Sequence, residues 1–186
     1  RPGLTPLEAG GEMVGFCASL AGVSLPVGLE VHNERGEELE SAIHDEMLFT
    51  HRGLSGPAVL DASLFWQKGR RLSIDLLPGV DLREELEATP RMELKNALAR
   101  LLPTRLAHAL CERNGWGGNC AHLRKKQLRE LEDVLHGWRF MPSRASGWEK
   151  AEVTLGGVDT RAVSSRTMQA NEVPGLYLTG ELLDVT

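Results

Sequence analysis

The sequence has few of the features that mark secreted, membrane-spanning or dinucleotide-binding chains. Its 186 residues include three cysteines, Cys17, Cys111 and Cys120, without the close spacing of a disulfide framework. No apolar run reaches the length of a membrane span, and the first residues do not show the charged and apolar pattern of a secretory leader. A G-x-G-x-x-G dinucleotide fingerprint is also missing. We therefore expect a cytoplasmic chain with reduced thiols and without a complete dinucleotide cradle.

The composition is that of a folded globular chain with an acidic balance. Hydrophobic residues make up 41%, charged residues 25%, and the mean hydropathy is −0.22. The formal net charge is −5 and the pI is near 5.7. Because a domain that binds phosphates usually carries a basic face, we expect no nucleic-acid partner, and we expect no membrane partner.

Three zones with different secondary-structure patterns predict an α+β fold. Residues 1–80 and 138–179 are rich in short β patterns, and Arg71–Leu76 alternates as a half-buried strand does. Residues 81–137 carry helical stripes that open with a capping pattern at Asp81 and Glu84. We predict a barrel-like, mixed or antiparallel β domain with a small helical bundle inserted into it. Residues 180–186 are predicted to begin the return into a further domain.

The segment 47–60 carries the strongest local signal. A strand runs into a loop with His51, Gly53, Ser55 and Gly56, and a helix follows from Pro57. The two glycines would let backbone amides approach an anion, a carbonyl or a carboxylate. A tight strand-to-helix connection that needs two glycines explains the same residues. His51 is accordingly either a general base or a loop residue that forms hydrogen bonds.

The tail of the chain predicts a second ligand-facing element. Gly175–Thr179 is apolar on both faces, which predicts a strand buried inside a parallel sheet. Gly180, Glu181 and Asp184 follow it, and ligands of nucleotide-binding sheets lie beyond the carboxyl ends of such strands. The alternative is an edge strand and a frayed terminus.

Three ordered motifs resemble one family. They are Leu48-Phe49-Thr50-His51-x-Gly53-Leu54-Ser55-Gly56-Pro57, then Val153-Thr154-x-Gly156-Gly157-Val158 with Thr167-Met168, and Gly175-Leu176-Tyr177-x-x-Gly180-Glu181-x-Leu183-Asp184. Together they resemble the BaiN/YhiN-like NAD(P)/FAD-dependent oxidoreductases, also called aminoacetone-oxidase-like flavoproteins. The resemblance covers nearly the whole chain.

The resemblance implies a split architecture around a flavin. In this family an FAD-binding domain comes first, a β-barrel-like domain with a helical subdomain is inserted, and the chain then returns to the FAD domain. Since the sequence starts at Arg1 without Met and lacks the fingerprint, we expect an inserted middle portion that is inactive alone and binds no cofactor tightly by itself. Its partner would be its own FAD-binding domain in cis.

The resemblance also implies roles for individual residues. In a complete protein Gly180, Glu181 and Asp184 would lie beside FAD, and Gly53 and Gly56 are further cofactor-contact candidates. His51 and Ser55 are the catalytic candidates, acting on a small-molecule substrate with NAD(P)H as the reductant. The competing hypothesis is a non-enzymatic module, a β-barrel with helices that binds a partner.

Two other clusters are given a structural interpretation. His108, Cys111, Cys120 and His122 lack the C-x2-C spacing of a zinc knuckle, so we expect no metal site. The run Arg124–Lys126 with Arg129 shares its predicted helix with acidic residues, which indicates a solvated face of mixed charge.

Overall fold

The computed structural model describes residues 1–33, 35–38 and 42–185, and these form an α+β fold. The strands are β1 (Pro2–Gly3), β2 (Leu7–Glu8), β3 (Ser24–His32), β4 (Ile43–Phe49), β5 (Gly53–Ser55), β6 (Arg71–Asp75), β7 (Trp138–Phe140), β8 (Arg144–Ala145) and β9 (Val153–Thr154). The helices are α1 (Glu12–Ser19), α2 (Pro57–Phe65), α3 (Leu82–Glu87), α4 (Leu94–Leu98), α5 (Thr104–Asn114) and α6 (Lys125–Leu135). Short 3-10 turns lie at Cys120–His122, Thr160–Ala162 and Gly180–Leu182.

Seven strands form one antiparallel sheet in the order β7-β6-β3-β4-β5-β2-β8, and β1 pairs separately with β9. The edge strands β7 and β8 are consecutive in the chain, and only residues 141–143 separate them. Four residue steps reach at most about 14 Å. Six strand spacings would hold the edges of a flat sheet about 29 Å apart. The sheet must therefore curl until its edges approach, which gives the predicted barrel-like shape although the described β7 and β8 do not pair.

Strand β3 is the central element of this sheet. The sequence predicted two short strands, Val23–Val27 and Gly28–His32, but β3 runs unbroken from Ser24 to His32. It pairs with β4 from Ser24 to Leu29 and with β6 from Gly28 to His32. Pro26 is tolerated because only β4 lies beside it at that point, so its missing N–H removes no bond to β6.

Helix α2 was predicted from the sequence, and it packs against strands β3 and β4 of the sheet. It begins at Pro57, which fits a first helical position, after Gly56 at φ 90°. Its buried residues are Ala58, Val59, Ala62 and Ser63. The hydroxyl of Ser63 accepts the Thr5 N–H at 3.0 Å and thereby holds the chain that leads into β2.

Residues 81–137, here called the helical arm, follow β6 and return to β7. Asp81 caps α3, since its Oδ1 accepts the Glu84 N–H at 3.1 Å, and Gly115 ends α5 at φ 65°. Both ends were predicted. Helix α4 covers only Leu94–Leu98 of the stripe from Met92 to Leu102 that was predicted as one helix, and turns follow it up to Pro103.

Aromatic contacts fix β7, which directly follows the arm, and a backbone hydrogen bond joins the arm itself to the end of β6. Trp138 lies 5.8 Å from Phe49 and 6.1 Å from Phe16 between ring centroids, so β7, β4 and α1 share one aromatic cluster. The Leu76 N–H donates to the Leu135 carbonyl at 2.8 Å, at the end of α6. The arm is therefore packed against the sheet at its base.

Residues 146–185, here called the C-terminal segment, are largely exposed. Among its described residues Val163 is the one buried hydrophobic side chain. The predicted buried strand at Gly175–Thr179 is wrong: Tyr177 is 61% exposed and forms one isolated antiparallel bridge, to Gln169. A strand buried on both faces needs neighbouring strands and covering helices, and the described residues supply neither.

In the part of the chain that the structure describes, no helix is both long and apolar enough to span a bilayer. The domain boundaries given above for the sequence remain predictions.

Candidate functional site: the turn between β4 and β5 and the returning segment

The turn between β4 and β5 is held by Thr50. The Thr50 N–H donates to the Gly53 carbonyl at 2.8 Å, and Thr50 Oγ1 accepts the Gly53 N–H at 3.1 Å. The neighbouring Arg52 carbonyl accepts the Ala9 N–H at 2.8 Å, which ties the turn to β2. His51 at the tip of this turn is therefore carried on a backbone that is fixed from both sides.

His51 and Ser55 are not brought together by the turn. The His51 side chain is exposed, and no residue in the described ranges forms a hydrogen bond with its ring. Ser55 is half-buried in β5, opposite Leu48 of β4. The imidazole is thus free to meet a substrate, and the catalytic roles of both residues remain predictions.

Gly53 and Gly56 are required by contacts within the protein. A Cβ at Gly53 would lie 2.3 Å from the Leu7 carbonyl oxygen, and a Cβ at Gly56 would lie 2.7 Å from the Glu46 carbonyl oxygen. Backbone atoms cannot yield as flexible side chains do, so the strands themselves require glycine here. A tight strand-to-helix connection, the alternative given for this segment, therefore accounts for both glycines. Their contact with a cofactor remains a prediction.

A buried carboxylate lies beside the turn and escaped the sequence reasoning. Glu8 in β2 is 8% exposed, accepts Arg144 Nε at 2.8 Å and accepts the Ser146 hydroxyl at 3.0 Å. Burial alone would raise the pKa of Glu8, but these hydrogen bonds and the Arg144 charge outweigh burial and lower it. Arg144 and Ser146 are 136 and 138 residues away from Glu8 in the chain, so no local sequence pattern predicts the cluster.

The returning segment is an open turn at the surface. Gly180 has φ 67°, and a Cβ placed there would meet nothing within 4 Å. Asp184 is fixed through its backbone, since its N–H donates to the Val158 carbonyl at 3.0 Å. Within the described ranges, the N–H groups of Thr179, Gly180 and Glu181, at the start of the 3-10 turn, donate no hydrogen bond. Free amides beside open space and two exposed acids suit a polar, hydroxyl- and phosphate-bearing ligand.

Apolar side chains are exposed around this turn. In the C-terminal segment they are Trp148, Met168, Val173, Leu176, Tyr177, Leu182 and Val185, here called the C-terminal apolar set. Backbone bonds from Ala170 to Leu176 and from Leu178 to Met168 hold part of the set in one paired loop, at 2.8 and 2.9 Å. Exposed apolar side chains in such number are uncommon on a surface that stays in contact with water.

The cysteines and histidines of the arm do not converge. Among the described residues, no three His, Cys, Asp or Glu side chains are grouped so as to hold a metal ion. Cys111 and Cys120 are buried, whereas His108 and His122 are exposed. Burial raises the pKa of both thiols and raises that of Cys17 to about 11, so all three are poor nucleophiles and poor ligands.

A curled antiparallel sheet with a helical arm inserted between β6 and β7 defines the class of this protein. The chain belongs to the family described as HI0933-like protein barrel and H2TH domain, which residues 1–153 match. The membership predicted from the three motifs is therefore confirmed.

Relatives with assigned names match along most of the chain. A ribosomal RNA dihydrouridine synthase from Escherichia coli is 43% identical over 195 aligned residues, which cover 100% of this chain and 46% of the relative. The synthase of the same name from Haemophilus influenzae is 41% identical over 176 residues, 92% of this chain and 42% of the relative. A 3-dehydro-bile acid delta(4,6)-reductase from Clostridium scindens is 28% identical over 155 residues, 75% of this chain and 38% of the relative. The chain thus spans less than half the length of each.

Proposed function

We propose that this chain is the substrate-side part of a flavin-dependent oxidoreductase that reduces uridine to dihydrouridine in ribosomal RNA. One observation carries the proposal: two synthases of that name are 41% and 43% identical to nearly the whole chain. In the reaction, the C5–C6 double bond of uracil becomes a single bond by gaining a hydride at one carbon and a proton at the other. Such a reduction needs a two-electron donor, for which we propose NAD(P)H.

The residues of the returning segment fit a bound flavin nucleotide. When bound, FAD carries the hydride from the nicotinamide to the substrate. The free amides around Gly180 and the open space beside it would face the ribityl or pyrophosphate part of the cofactor. Glu181 and Asp184 are exposed and would accept hydrogen bonds from its hydroxyl groups. Gly53 and Gly56 offer less, because chain backbone fills the space beside them.

The C-terminal apolar set supports an FAD-binding domain in cis as the covering partner. The returning segment belongs to the same exposed region, so a domain that holds the cofactor against Gly180 would also bury Leu182 and Val185. These side chains are 57% and 63% exposed in this chain. Burying such residues contributes roughly 1.5–3 kcal/mol each when the burial is complete. This part of the chain would then act as a cover over the flavin.

Within the β domain, His51 is the candidate for proton transfer. Its exposed imidazole on a fixed turn would hold the proton that the uracil ring gains at the carbon without the hydride. Ser55 and backbone amides of the turn would orient a carbonyl of the ring. No metal is needed for this chemistry, because the carbonyl and the imidazole supply the polarisation and the proton.

The test uses the full-length protein. We expect a yellow protein with a flavin absorbance band, and NAD(P)H-dependent formation of dihydrouridine in protein-free ribosomal RNA, measured by mass spectrometry of its nucleosides. A flavin-free full-length protein would contradict the cofactor assignment. A yellow protein that leaves every uridine unreduced would contradict the substrate.

Replacement of His51 tests its role separately. His51→Ala should lower dihydrouridine formation by a factor of roughly 100 or more, as expected for the loss of a general acid. Flavin reduction by NAD(P)H should be unchanged. His44→Ala is the matched control, because His44 is an exposed histidine on the adjoining strand β4. Equal activity of the two variants would remove His51 from the mechanism.

A small-molecule substrate is the second candidate, favoured by the relative named as a bile-acid reductase. Its identity of 28% is lower and it covers 75% of this chain. Turnover of a steroid enone without activity on RNA would select it. A colourless full-length protein that binds a macromolecule would instead select the non-enzymatic module.

A further inference from the structure

The charge of the chain is unevenly distributed. Residues 91–129 of the helical arm contain nine Lys and Arg residues and two Glu, a net charge of +7. The remaining residues contain 12 Lys and Arg and 24 Asp and Glu, a net charge of −12, and the two regions together give the −5 of the chain. The acidic total therefore conceals a strongly basic stretch, and the expectation of no nucleic-acid partner relied on that total alone.

Some of these cations are used inside the protein. Arg105 donates to the carbonyls of Ser19 and Ala21 at 2.5 and 3.3 Å. The Arg113 guanidinium lies 5.2 Å from the centroid of the Phe16 ring. Both contacts join α5 to α1 and its C-terminal turn, so these two arginines attach the arm to the body.

Four other cations make no such contact. Arg91, Arg124, Lys125 and Arg129, here called the arm cations, are exposed, and within the described ranges none of their charged groups donates a hydrogen bond or pairs with a carboxylate. Cys120 and Ala121 donate to the carbonyls of Met92 and Pro90 at 3.0 and 2.9 Å. These bonds hold the backbone on either side of Arg91 against the segment that leads into Arg124, so the arm cations share one end of the arm.

The placement of these charges opposes the stability of α6. Arg124 precedes the helix, Lys125 is its first residue, and its first turn contains no acid. Glu132 and Asp133 lie in its second half, and its last turn contains no base. The helix dipole favours the reverse order, with acids at the start of the helix and bases at its end. A bound polyanion reverses this balance, because its phosphates would face both the cations and the positive end of the helix.

We infer that the arm cations bind the phosphate backbone of the ribosomal RNA and hold it while a uridine reaches the flavin. The inference rests on the proposed function for the identity of the RNA, whereas the surface itself follows from the charges. Arginine and lysine on an exposed surface contact phosphates without reading sequence. The arm would therefore supply affinity, and selection of the uridine would occur elsewhere.

The test compares two sets of four neutralised cations in the full-length protein. One variant carries Arg91→Gln, Arg124→Gln, Lys125→Gln and Arg129→Gln. The control carries Lys68→Gln, Arg139→Gln, Lys150→Gln and Arg166→Gln, which remove the same charge from exposed positions outside the arm. Binding to protein-free ribosomal RNA is measured against KCl concentration, with polyglutamate as the competing anion.

We expect the arm variant to bind RNA on the order of 100-fold more weakly at 0.1 M salt, and its log–log salt slope to fall by about 3. The control should bind like the unmodified protein. The arm variant should unfold at the same or a higher urea concentration, because the removed charges oppose the α6 dipole. Equal RNA affinity of the two variants would overturn the inference, as would competition by polyglutamate at equal charge concentration, which indicates an acidic protein partner.

Product formation separates this inference from the proposed function. If the unmodified protein makes dihydrouridine, the arm variant should raise KM for RNA and leave kcat nearly unchanged. An unchanged KM would refute the RNA contact while the function stands. RNA binding that depends on the arm cations, without any product, would refute the function while the contact stands.

Discussion

The arm and the C-terminal segment both present exposed surfaces, but with opposite chemistry. Around the start of α6 the exposed side chains include the arm cations, whereas in residues 146–185 they include Trp148, Leu176 and Tyr177. Water solvates the first surface well and the second poorly, so only the second is expected to be covered permanently. A basic surface instead suits a partner that binds and leaves, with an affinity that salt controls. We therefore propose one constant partner for the C-terminal segment and one exchanging partner for the arm.

The largest expected effect on stability distinguishes Gly53, which is packed against backbone, from Gly180, which faces open space. Gly53→Ala forces a Cβ against the backbone of β2 and should lower the free energy of unfolding by roughly 2–4 kcal/mol in urea denaturation of the full-length protein. Gly180→Ala meets no neighbour in this chain, and its left-handed φ costs only about 1–2 kcal/mol. Flavin content should respond in the opposite order, with loss in Gly180→Ala and retention in folded Gly53→Ala. If only Gly53→Ala lost flavin, the cofactor would lie at the turn between β4 and β5 and not at Gly180.

A smaller effect should follow from removing apolar side chains of the C-terminal segment. The double variant Leu176→Ser and Tyr177→Ser should cost the full-length protein roughly 2 kcal/mol, because the side chains lose a covering domain. Flavin release on dilution and urea midpoints give the measurements. Val14→Ser is the control, since Val14 is partly exposed on α1, outside that segment. If stability and flavin release are unchanged in the double variant, no domain covers Leu176 and Tyr177, and the proposed difference between the arm and the C-terminal segment is wrong.

The smallest effect concerns two ion pairs, a buried one in the sheet and an exposed one in the C-terminal segment. Because the pKa of Glu8 is lowered in the folded state, its contribution is present above the ordinary glutamate pKa and is lost as the pH falls through the lowered value. Glu8→Gln should cost about 1–2 kcal/mol at pH 7 and flatten the acid limb of the stability profile. Arg161→Gln removes the partner of Asp159 in the C-terminal segment, where both side chains are exposed, and should leave the profile unchanged. A Glu8→Gln profile that overlays that of the unmodified protein would refute the role of the buried pair.

Local chemistry was readable from the sequence wherever one short segment determines the outcome. The Asp81 cap, the start of α2 at Pro57 and the end of α5 at Gly115 each depend on a few neighbouring residues, and each was predicted. The three motifs also identified the family. Features that depend on distant parts of the chain were less accessible: Glu8 finds Arg144 only after the sheet has curled.

Two inferences from the sequence relied on averages: the buried strand at Gly175–Thr179, which the structure contradicts, and the absence of a nucleic-acid partner, which stays a prediction that our proposal opposes. The apolar pattern of Gly175–Thr179 indicates burial, but Leu176 and Tyr177 are exposed in this structure. A sequence pattern does not say whether the surface that would cover them belongs to the same part of the protein. The net charge of −5 likewise averages a basic arm with an acidic body. The signal in the sequence for the arm cations was the net charge of residues 91–129, together with the basic residues at the start of α6 and the acidic residues in its second half.

Hydrogen exchange of the full-length protein, with and without protein-free ribosomal RNA, tests the central comparison most directly. We predict that amides of residues 168–185 are already protected in the absence of RNA. Amides of residues 117–129 should gain protection only when RNA is added, and should lose it again at high salt. Protection of residues 168–185 that requires RNA, with an arm that RNA leaves unchanged, would contradict the division between a constant and an exchanging partner.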